Sequence, residues 1–153
     1  MRIFIDTREK ARAIVKIIET FEKSGVQYAS TKLYVGDYQN VENPQLVVDR
    51  KQSLNELANN VCQDHQRFVA EIQRANDMGI RIVFLCEHGP YVKTLEDVKH
   101  WKNPRLKVSP LAMSGERLHK ILSTISAKYG CEFLFCTKAQ TGKRIMEILS
   151  NDC

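Results

Sequence analysis

The chain predicts a single α/β domain, residues 1–153, with a central mixed β-sheet flanked by helices. Two observations carry this. Short apolar, strand-like runs alternate with helical stripes from one end to the other. The length of 153 residues suits one domain, and no repeat, low-complexity tract or linker divides it.

Arg2–Asp6 reads as a short buried strand. Residues near Lys10–Lys23 read as a helix, because Ile14, Ile17, Ile18 and Phe21 recur at helical spacing. Ser24-Gly25 ends it. Val26–Tyr38 reads as one or two strands, with Gly36 a bulge or tight bend. Asn40 to Pro44 is a turn cluster, and Gln45–Lys51 a strand centred on Leu46, Val47 and Val48. Ser53 opens a helix, with Glu56 completing a capping box. Asp64 is the expected cap of a second helix running to about Met78 and closed by Gly79. Ile80–Cys86 is a strongly apolar strand, and a short helix is expected around Leu95–Trp101. Ser114 caps a helix whose Leu118, Ile121, Leu122 and Ile125 form one stripe; Gly130 closes it. Cys131–Cys136 is a further strand, and Lys138–Leu149 a last helix.

Hydrophobic residues make up 43% and charged residues 27% of the chain, a balance that permits a packed core and argues against disorder. No apolar run approaches the length of a membrane span, and Asp6 interrupts Ile3–Ile5 too early for a signal peptide. The five cysteines, Cys62, Cys86, Cys131, Cys136 and Cys153, are odd in number and form no CxxC pair. A reducing, intracellular compartment, cytoplasmic or nuclear, is therefore expected.

The net charge of +5 is unevenly placed. Residues 1–98 carry 13 basic and 14 acidic side chains, and residues 99–153 carry 10 basic against 4 acidic. Lys99, Lys102, Arg105 and Lys107 crowd one stretch around Trp101 without a carboxylate. Such cations suit phosphates, and Trp101 suits stacking on a base or wedging at a strand end. The plainer alternative is a solvated basic loop with Trp101 in the core.

Several motifs fail. Thr141-Gly142-Lys143-Arg144 lacks the upstream glycine and the following Ser or Thr of a phosphate-binding loop. His65, His88, His100 and His119 lack zinc-finger spacing. No GxSxG occurs.

One constellation survives. Asp37 follows Gly36 at the end of a strand-like run, and twelve residues on stands Val48-Asp49-Arg50-Lys51. Period-two alternation points Asp49 and Lys51 to one face and Arg50 to the other. Two carboxylates beside a lysine suit Mg²⁺ or Mn²⁺, which activates water and stabilises charge on a phosphodiester. The lysine orients or deprotonates the attacking water, or clamps the phosphate. This is the logic of restriction-type nucleases, although the spacing alone also fits a surface ion pair.

With its surroundings the pattern is more specific. Ile5-Asp6-Thr7-Arg8-Glu9, then Gly36-Asp37-Tyr38, then Val48-Asp49-Arg50-Lys51-Gln52-Ser53-Leu54-Asn55 resemble the XPF-type structure-specific endonuclease family. Its nuclease domain is marked by V-D-x-R-E and by G-D…E-R-K-x-x-x-D. The resemblance extends through Arg67-Phe68, Ile82–Glu87 and Ser114–Phe133, nearly the whole chain.

The resemblance implies a restriction-endonuclease-like nuclease fold and a Mg²⁺- or Mn²⁺-dependent endonuclease cutting branched, flap or junction DNA, in DNA repair or recombination. The alternative it leaves is a catalytically degenerate module that binds DNA and recruits a partner; more remotely, RNA is the substrate. Asp37 and Asp49 would be metal ligands, with the main-chain carbonyl of Arg50 a third, and Lys51 the catalytic lysine. Asp6 and Glu9 would border the metal, ligating through water or tuning a second ion, unless Asp6 only caps the following helix. Arg8 and Arg50 would hold carboxylates or the scissile phosphate, or serve as structural ion-pair partners. Two positions depart from the motif: Asp49 replaces its Glu, and Asn55 its closing acid, in a supporting position. Reduced rather than abolished activity follows.

Arg67, Glu71 and Arg74 line one helix face. They make either a DNA-facing row with Glu71 near the metal or a solvated charge ladder. Nothing in the chain reads as the tandem helix-hairpin-helix module common among relatives. DNA contact is thus expected from Lys99, Lys102, Arg105, Lys107, Lys138, Lys143 and Arg144. By the same resemblance, a homodimer through the Ser114–Leu149 half, or a heteromeric partner, is expected.

Overall fold

The computed structural model describes residues 1–150. Their strands are β1 (Arg2–Asp6), β2 (Gln27–Thr31), β3 (Tyr38–Asn40), β4 (Asn43–Lys51), β5 (Arg81–Glu87) and β6 (Glu132–Cys136), which form one sheet in the order β2-β1-β3-β4-β5-β6. The helices are α1 (Val15–Lys23), α2 (Leu54–Cys62), α3 (His65–Asp77), α4 (Gly115–Tyr129) and α5 (Thr141–Ser150). β3 runs antiparallel to both β1 and β4, and the other neighbours pair in parallel. The sheet is mixed, as the sequence predicts.

Alternation along β4 explains the layers. Leu46 and Val48 join Ile3, Ile5, Tyr38, Val83 and Leu85 under α1 and α5. Val47 faces the other way, with Ile82, Phe84 and Phe133, under α2, α3 and α4. The second layer is knit by aromatic rings. Phe68 meets Phe84 edge-on at 4.8 Å between centroids, and Phe84 stacks on Phe133 at 5.1 Å. Burying each ring contributes about 1.5–3 kcal/mol. Both layers continue over β4 and β5, which are therefore nearly solid apolar runs, as parallel strands covered on both faces must be.

Several boundaries differ from the sequence reading. The stretch Lys10–Lys23 divides into a 3-10 turn at Ala11–Ala13 and α1. Val26–Tyr38 holds β2, then a loop that ends at Gly36 with φ of +75°, and Asp37 precedes β3 rather than ending a strand. β4 begins at Asn43, because its first residues need only β3 as a neighbour; pairing with β5 starts at Leu46. Ser53 caps α2 as expected, its Oγ accepting from Glu56 N–H, but the Glu56 carboxylate reaches back to Gln52 N–H at 2.8 Å, one residue beyond a true box. Asp64 makes no side-chain cap to α3. The short helix near Leu95–Trp101 is a 3-10 turn, Glu96–His100, and another follows at Pro104–Lys107. Ser114 caps α4, its Oγ accepting from Arg117 N–H, and Gly130 closes it at φ of +73°. The final segment splits into a 3-10 turn, Lys138–Gln140, and α5.

Leu118, Leu122 and Ile125 are buried in the core of the chain itself, with Ile121 packed against it. Ile145, Ile148 and Leu149 of α5 are buried in the other layer. The apolar residues behind the expected dimer are thus engaged within one chain. Cys62, Cys86, Cys131 and Cys136 are free thiols, and Cys153 lies outside the described residues. Among the described residues no helix is long and apolar enough to cross a membrane.

Candidate active site

The topology gathers the chemistry at one edge of the sheet. β1 and β4 point the same way, with β3 between them reversed. The C-terminal ends of β1, β4 and β5 therefore meet the beginning of β3. Main-chain bonds stitch this edge: Asp6 N–H donates to the Asp37 carbonyl at 2.8 Å, and Asp37 N–H donates to the Val48 carbonyl at 2.8 Å. Gly36 makes the bend possible. Its positive φ suits glycine, and a Cβ there would stand 2.9 Å from Val47 Cγ2.

Asp37, Asp49 and Lys51 converge as predicted. The Asp37 carboxylate accepts from the main-chain N–H of Arg50 at 2.7 Å, which ties it to the strand that carries Asp49 and Lys51. Asp49 is buried and its Oδ1 lies 3.2 Å from Lys51 Nζ. Lys51 Nζ also stands 5.7 Å from the Phe68 ring and 5.9 Å from the Phe84 ring, so its stem runs over the aromatic layer. Period-two alternation sends Arg50 to the opposite face, as expected.

Arg50 is a structural clasp. Its Nε and Nη2 donate to Glu9 Oε2 at 3.0 and 2.7 Å, and its Nη1 donates to Glu87 Oε1 at 2.5 Å. Its side chain is 4% exposed, which leaves no room for a phosphate. Tyr38 OH donates to the same Glu9 oxygen at 3.2 Å. Glu9 thus anchors Arg50 rather than lying open for solvent-bridged ligation. Glu87 and Tyr38 were missed by the sequence reading. The available signal was an acid ending an apolar strand, and its meaning depends on β5 lying beside β4.

Asp6 is fully buried. Its Oδ1 accepts from Leu33 N–H at 2.8 Å, and its Oδ2 from Arg8 N–H and Nε at 3.1 and 2.6 Å. These bonds outweigh burial and hold its carboxyl below the usual range. Asp6 secures the turn after β1 and caps no helix. Arg8 pairs with Asp6, is largely exposed, and feels the charges of Asp37 and Glu71.

The other carboxylates are pushed the opposite way. Burial, with Glu71 adding to it and Lys51 opposing it, raises Asp49 to about 7. Burial, then Asp49 and Glu9, raise Asp37 well above the ordinary value. Glu71 on α3 therefore lies beside Asp49. Arg74 of the same helix stacks its guanidinium 5.4 Å from the Tyr34 ring, and Arg67 is exposed. Asn55 lines a cleft with His88 and Trp101.

Among the described residues no group of three or more His, Cys, Asp or Glu side chains could by itself hold a metal ion. The carboxylates brought together here are those of Asp37 and Asp49. That pair suits Mg²⁺, which keeps several waters and takes one or two protein carboxylates together with phosphate oxygens. The raised acids fit too, since excess buried negative charge is relieved either by protons or by a hard cation.

The predicted basic surface is only partly free. Lys102, Arg105, Lys107, Lys138 and Lys143 are exposed. Lys99 pairs with Glu96 at 2.7 Å, and Arg144 with Glu147 at 2.6 Å. A separate cleft of about 550 Å³, lined by Arg2, Phe4, Tyr28 and Val41, lies toward the opposite end of β1, away from the carboxylates.

Comparison with known proteins agrees with this arrangement. The XPF from Aeropyrum pernix matches with a TM-score of 0.69 at 19% identity, over 97% of this chain and 63% of that one. A structure of XPF from Aeropyrum pernix in complex with DNA matches with a TM-score of 0.67 at 19% identity, over 97% of this chain and 62% of that one. The chain thus spans less than two thirds of the length of those solved chains, and at this identity the likeness establishes the restriction-endonuclease-like nuclease fold. No curated protein matches the chain. The ERCC4 domain matches residues 5–149. A match over nearly the entire sequence, on a sheet that gathers Asp37, Asp49 and Lys51 at one edge, makes this chain a member of the ERCC4 domain family.

Proposed function

We propose that the protein is a Mg²⁺- or Mn²⁺-dependent endonuclease that hydrolyses phosphodiester bonds in branched, flap or junction DNA. The observation that carries this reading is the convergence of Asp37, Asp49 and Lys51, with Asp37 bonded to the main chain between the other two. The family and the solved XPF complex with DNA support the substrate class.

In this reading Asp37, Asp49 and the Arg50 carbonyl hold the cation. When bound, it stabilises charge on the phosphodiester and makes a water nucleophilic near neutral pH. Lys51 holds a non-bridging phosphate oxygen and orients the attacking water beside it. The Glu9–Arg50–Glu87 clasp fixes the strand that carries three of these groups. Glu71, beside Asp49, would accept a hydrogen bond from the attacking water. Arg8 is held by Asp6 through Nε but is largely exposed, so its outer N–H groups can meet the incoming DNA backbone.

The presence of Asp37, Asp49 and Lys51 together favours this over a non-cleaving binding module. Lys102, Arg105 and Lys107 supply phosphate contacts that position the duplex. A homodimer or a heteromeric partner through the C-terminal helices remains part of the proposal on the family resemblance alone, since Leu118, Leu122, Ile145 and Ile148 of those helices are buried within the chain.

The test is cleavage of end-labelled flap, fork, four-way junction and plain duplex DNA with Mg²⁺ or Mn²⁺ against EDTA, with Asp37→Ala alongside. Metal-dependent cutting of branched substrates that the variant lacks is expected. A folded, DNA-binding protein that cuts nothing would favour the binding module.

A further inference from the structure

Residues 88–114, between β5 and α4, form no strand or α-helix beyond their two 3-10 turns. They carry much of the exposed apolar and basic surface: Tyr91 and Leu111 are each 88% exposed, and Val108 is 87% exposed. Trp101 sits half-buried at their centre, its ring edge-on to His88 at 6.2 Å. Two clefts meet at this ring. One, of about 450 Å³, is lined by Asn55, His88, Tyr91, Trp101 and Lys102 among others. The other, of about 760 Å³, holds Lys99, Trp101, Lys102 and Lys107.

We infer that the Trp101 cleft receives unpaired nucleotides of the DNA strand beside the cleavage site, with a base stacked on Trp101 and its phosphates against Lys102 and Lys107. The inference rests on the nuclease reading for the identity of the DNA, and extends it to a single-strand subsite.

Position is the first support. His88 directly follows Glu87, whose carboxylate holds Arg50, and Asn55 is the second residue of α2, four residues after Lys51 at the end of β4. The cleft therefore opens next to the catalytic edge of the sheet.

Chemistry is the second. An aromatic platform beside cations binds single strands with little sequence preference, since every base has a π-face. Lys102 and Lys107 form no ion pair that would compete for phosphate among the described residues. Asp97 also lines the smaller cleft, but its carboxylate accepts from the N–H groups of Lys93 and Thr94 at 3.0 and 3.1 Å. Glu116 borders the larger one and is exposed to solvent. A volume of about 450 Å³ lies within the roughly 300–1,000 Å³ of clefts that hold nucleotide-sized ligands.

Rigidity is the third. Buried Asn103 accepts from Arg105 N–H through Oδ1 at 3.0 Å and donates from Nδ2 to the Met113 carbonyl at 2.9 Å. Gly115 lets α4 press against the platform: a Cβ there would stand 2.5 Å from the carbonyl oxygens of Val98 and Trp101. A platform pinned in advance loses less entropy on binding.

Trp101 is the only tryptophan of the chain, so its emission reports the site directly. The experiment titrates the wild-type protein, in EDTA, with oligo(dT), a flap substrate and a blunt duplex of equal length. Oligo(dT) and the flap should quench Trp101 strongly, and the duplex should bind with little quenching. Trp101→Phe should bind oligo(dT) within a few-fold of wild type, and Trp101→Ala at least about fivefold more weakly. Lys102→Ala should weaken binding and flatten its salt dependence. Binding of oligo(dT) without quenching, equal quenching by the duplex, or tighter binding of oligo(rU) than oligo(dT) would each overturn the inference. The wild-type emission needs no variant, so a misfolded Trp101→Ala leaves the test intact. Cleavage in Mg²⁺ is read separately. A protein that cuts branched DNA without a Trp101 response overturns this inference alone, and a Trp101 response without cutting overturns only the catalytic reading.

Discussion

The Asp37 carboxylate accepts a 2.7 Å hydrogen bond from the main-chain N–H of Arg50. One side of a turn is thereby tied to the C-terminal end of the strand that carries Asp49 and Lys51. The bond holds Asp37 against the strand of Asp49, and it gives Arg50 a structural part on both its backbone and its side chain.

Asp37→Asn keeps an acceptor for Arg50 N–H and removes the charge. The fold should persist, while metal-dependent cleavage falls at least about a hundredfold, more than loss of a supporting contact would give. Lys51→Met should likewise abolish cutting and leave DNA binding within a few-fold. Single-turnover rates with filter binding in parallel check both, and undiminished cleavage by either variant would remove the assigned roles.

Stability in EDTA should fall as pH rises. Burial holds Asp49 at about 7 in the fold, far above its ordinary 3.8, and Asp37 is raised as well. An acid whose pKa rises on folding adds stability that is fully present below its unfolded value and lost as pH climbs through the folded one. The urea midpoint should therefore decline from about pH 5 to about pH 8. Saturating Mg²⁺ should restore it at the upper end, because a ligand of the folded state alone stabilises by mass action. A midpoint at pH 8 that ignores Mg²⁺ would argue against the cation site.

Arg50→Met leaves Glu9 and Glu87 buried without their shared cation. Breaking such a cluster from one side costs about 3–5 kcal/mol, roughly 10 °C or more in the unfolding midpoint for a chain of this size. Calorimetry on wild type and variant decides. A loss under about 1 kcal/mol would place the pair in the weak class of exposed ion pairs.

Gly36→Ala tests the bend that presents Asp37. The left-handed backbone opposes a Cβ by about 1–2 kcal/mol, and the contact with Val47 Cγ2 at 2.9 Å adds overlap. Because the strained residue adjoins a proposed ligand, cleavage should drop more steeply than stability. Equal, modest losses in both would mean that Asp37 had not moved.

Order along the chain was enough to read the mixed α/β sheet and to pick out Asp37, Asp49 and Lys51, because alternation puts Asp49 and Lys51 on one face whatever surrounds them. The same local rules predicted Ser53 and Ser114 as caps, since a cap needs only its own first turn. What a side chain meets across the sheet was not legible. Arg50 had two readings until the fold brought the turn after β1 and the end of β5 to its side chain, supplying Glu9 and Glu87 from 41 and 37 positions away in sequence. That Glu71 lies beside Asp49 was likewise not legible until α3 packed over Phe84. Asp64 failed as a cap because its backbone and side chain did not take the extended cap geometry seen at Ser53. Period and propensity act over a few neighbours and are written in the sequence. Burial, charge pairing and the shift of an acid toward 7 depend on which distant strands become adjacent, and only the tertiary structure decides that.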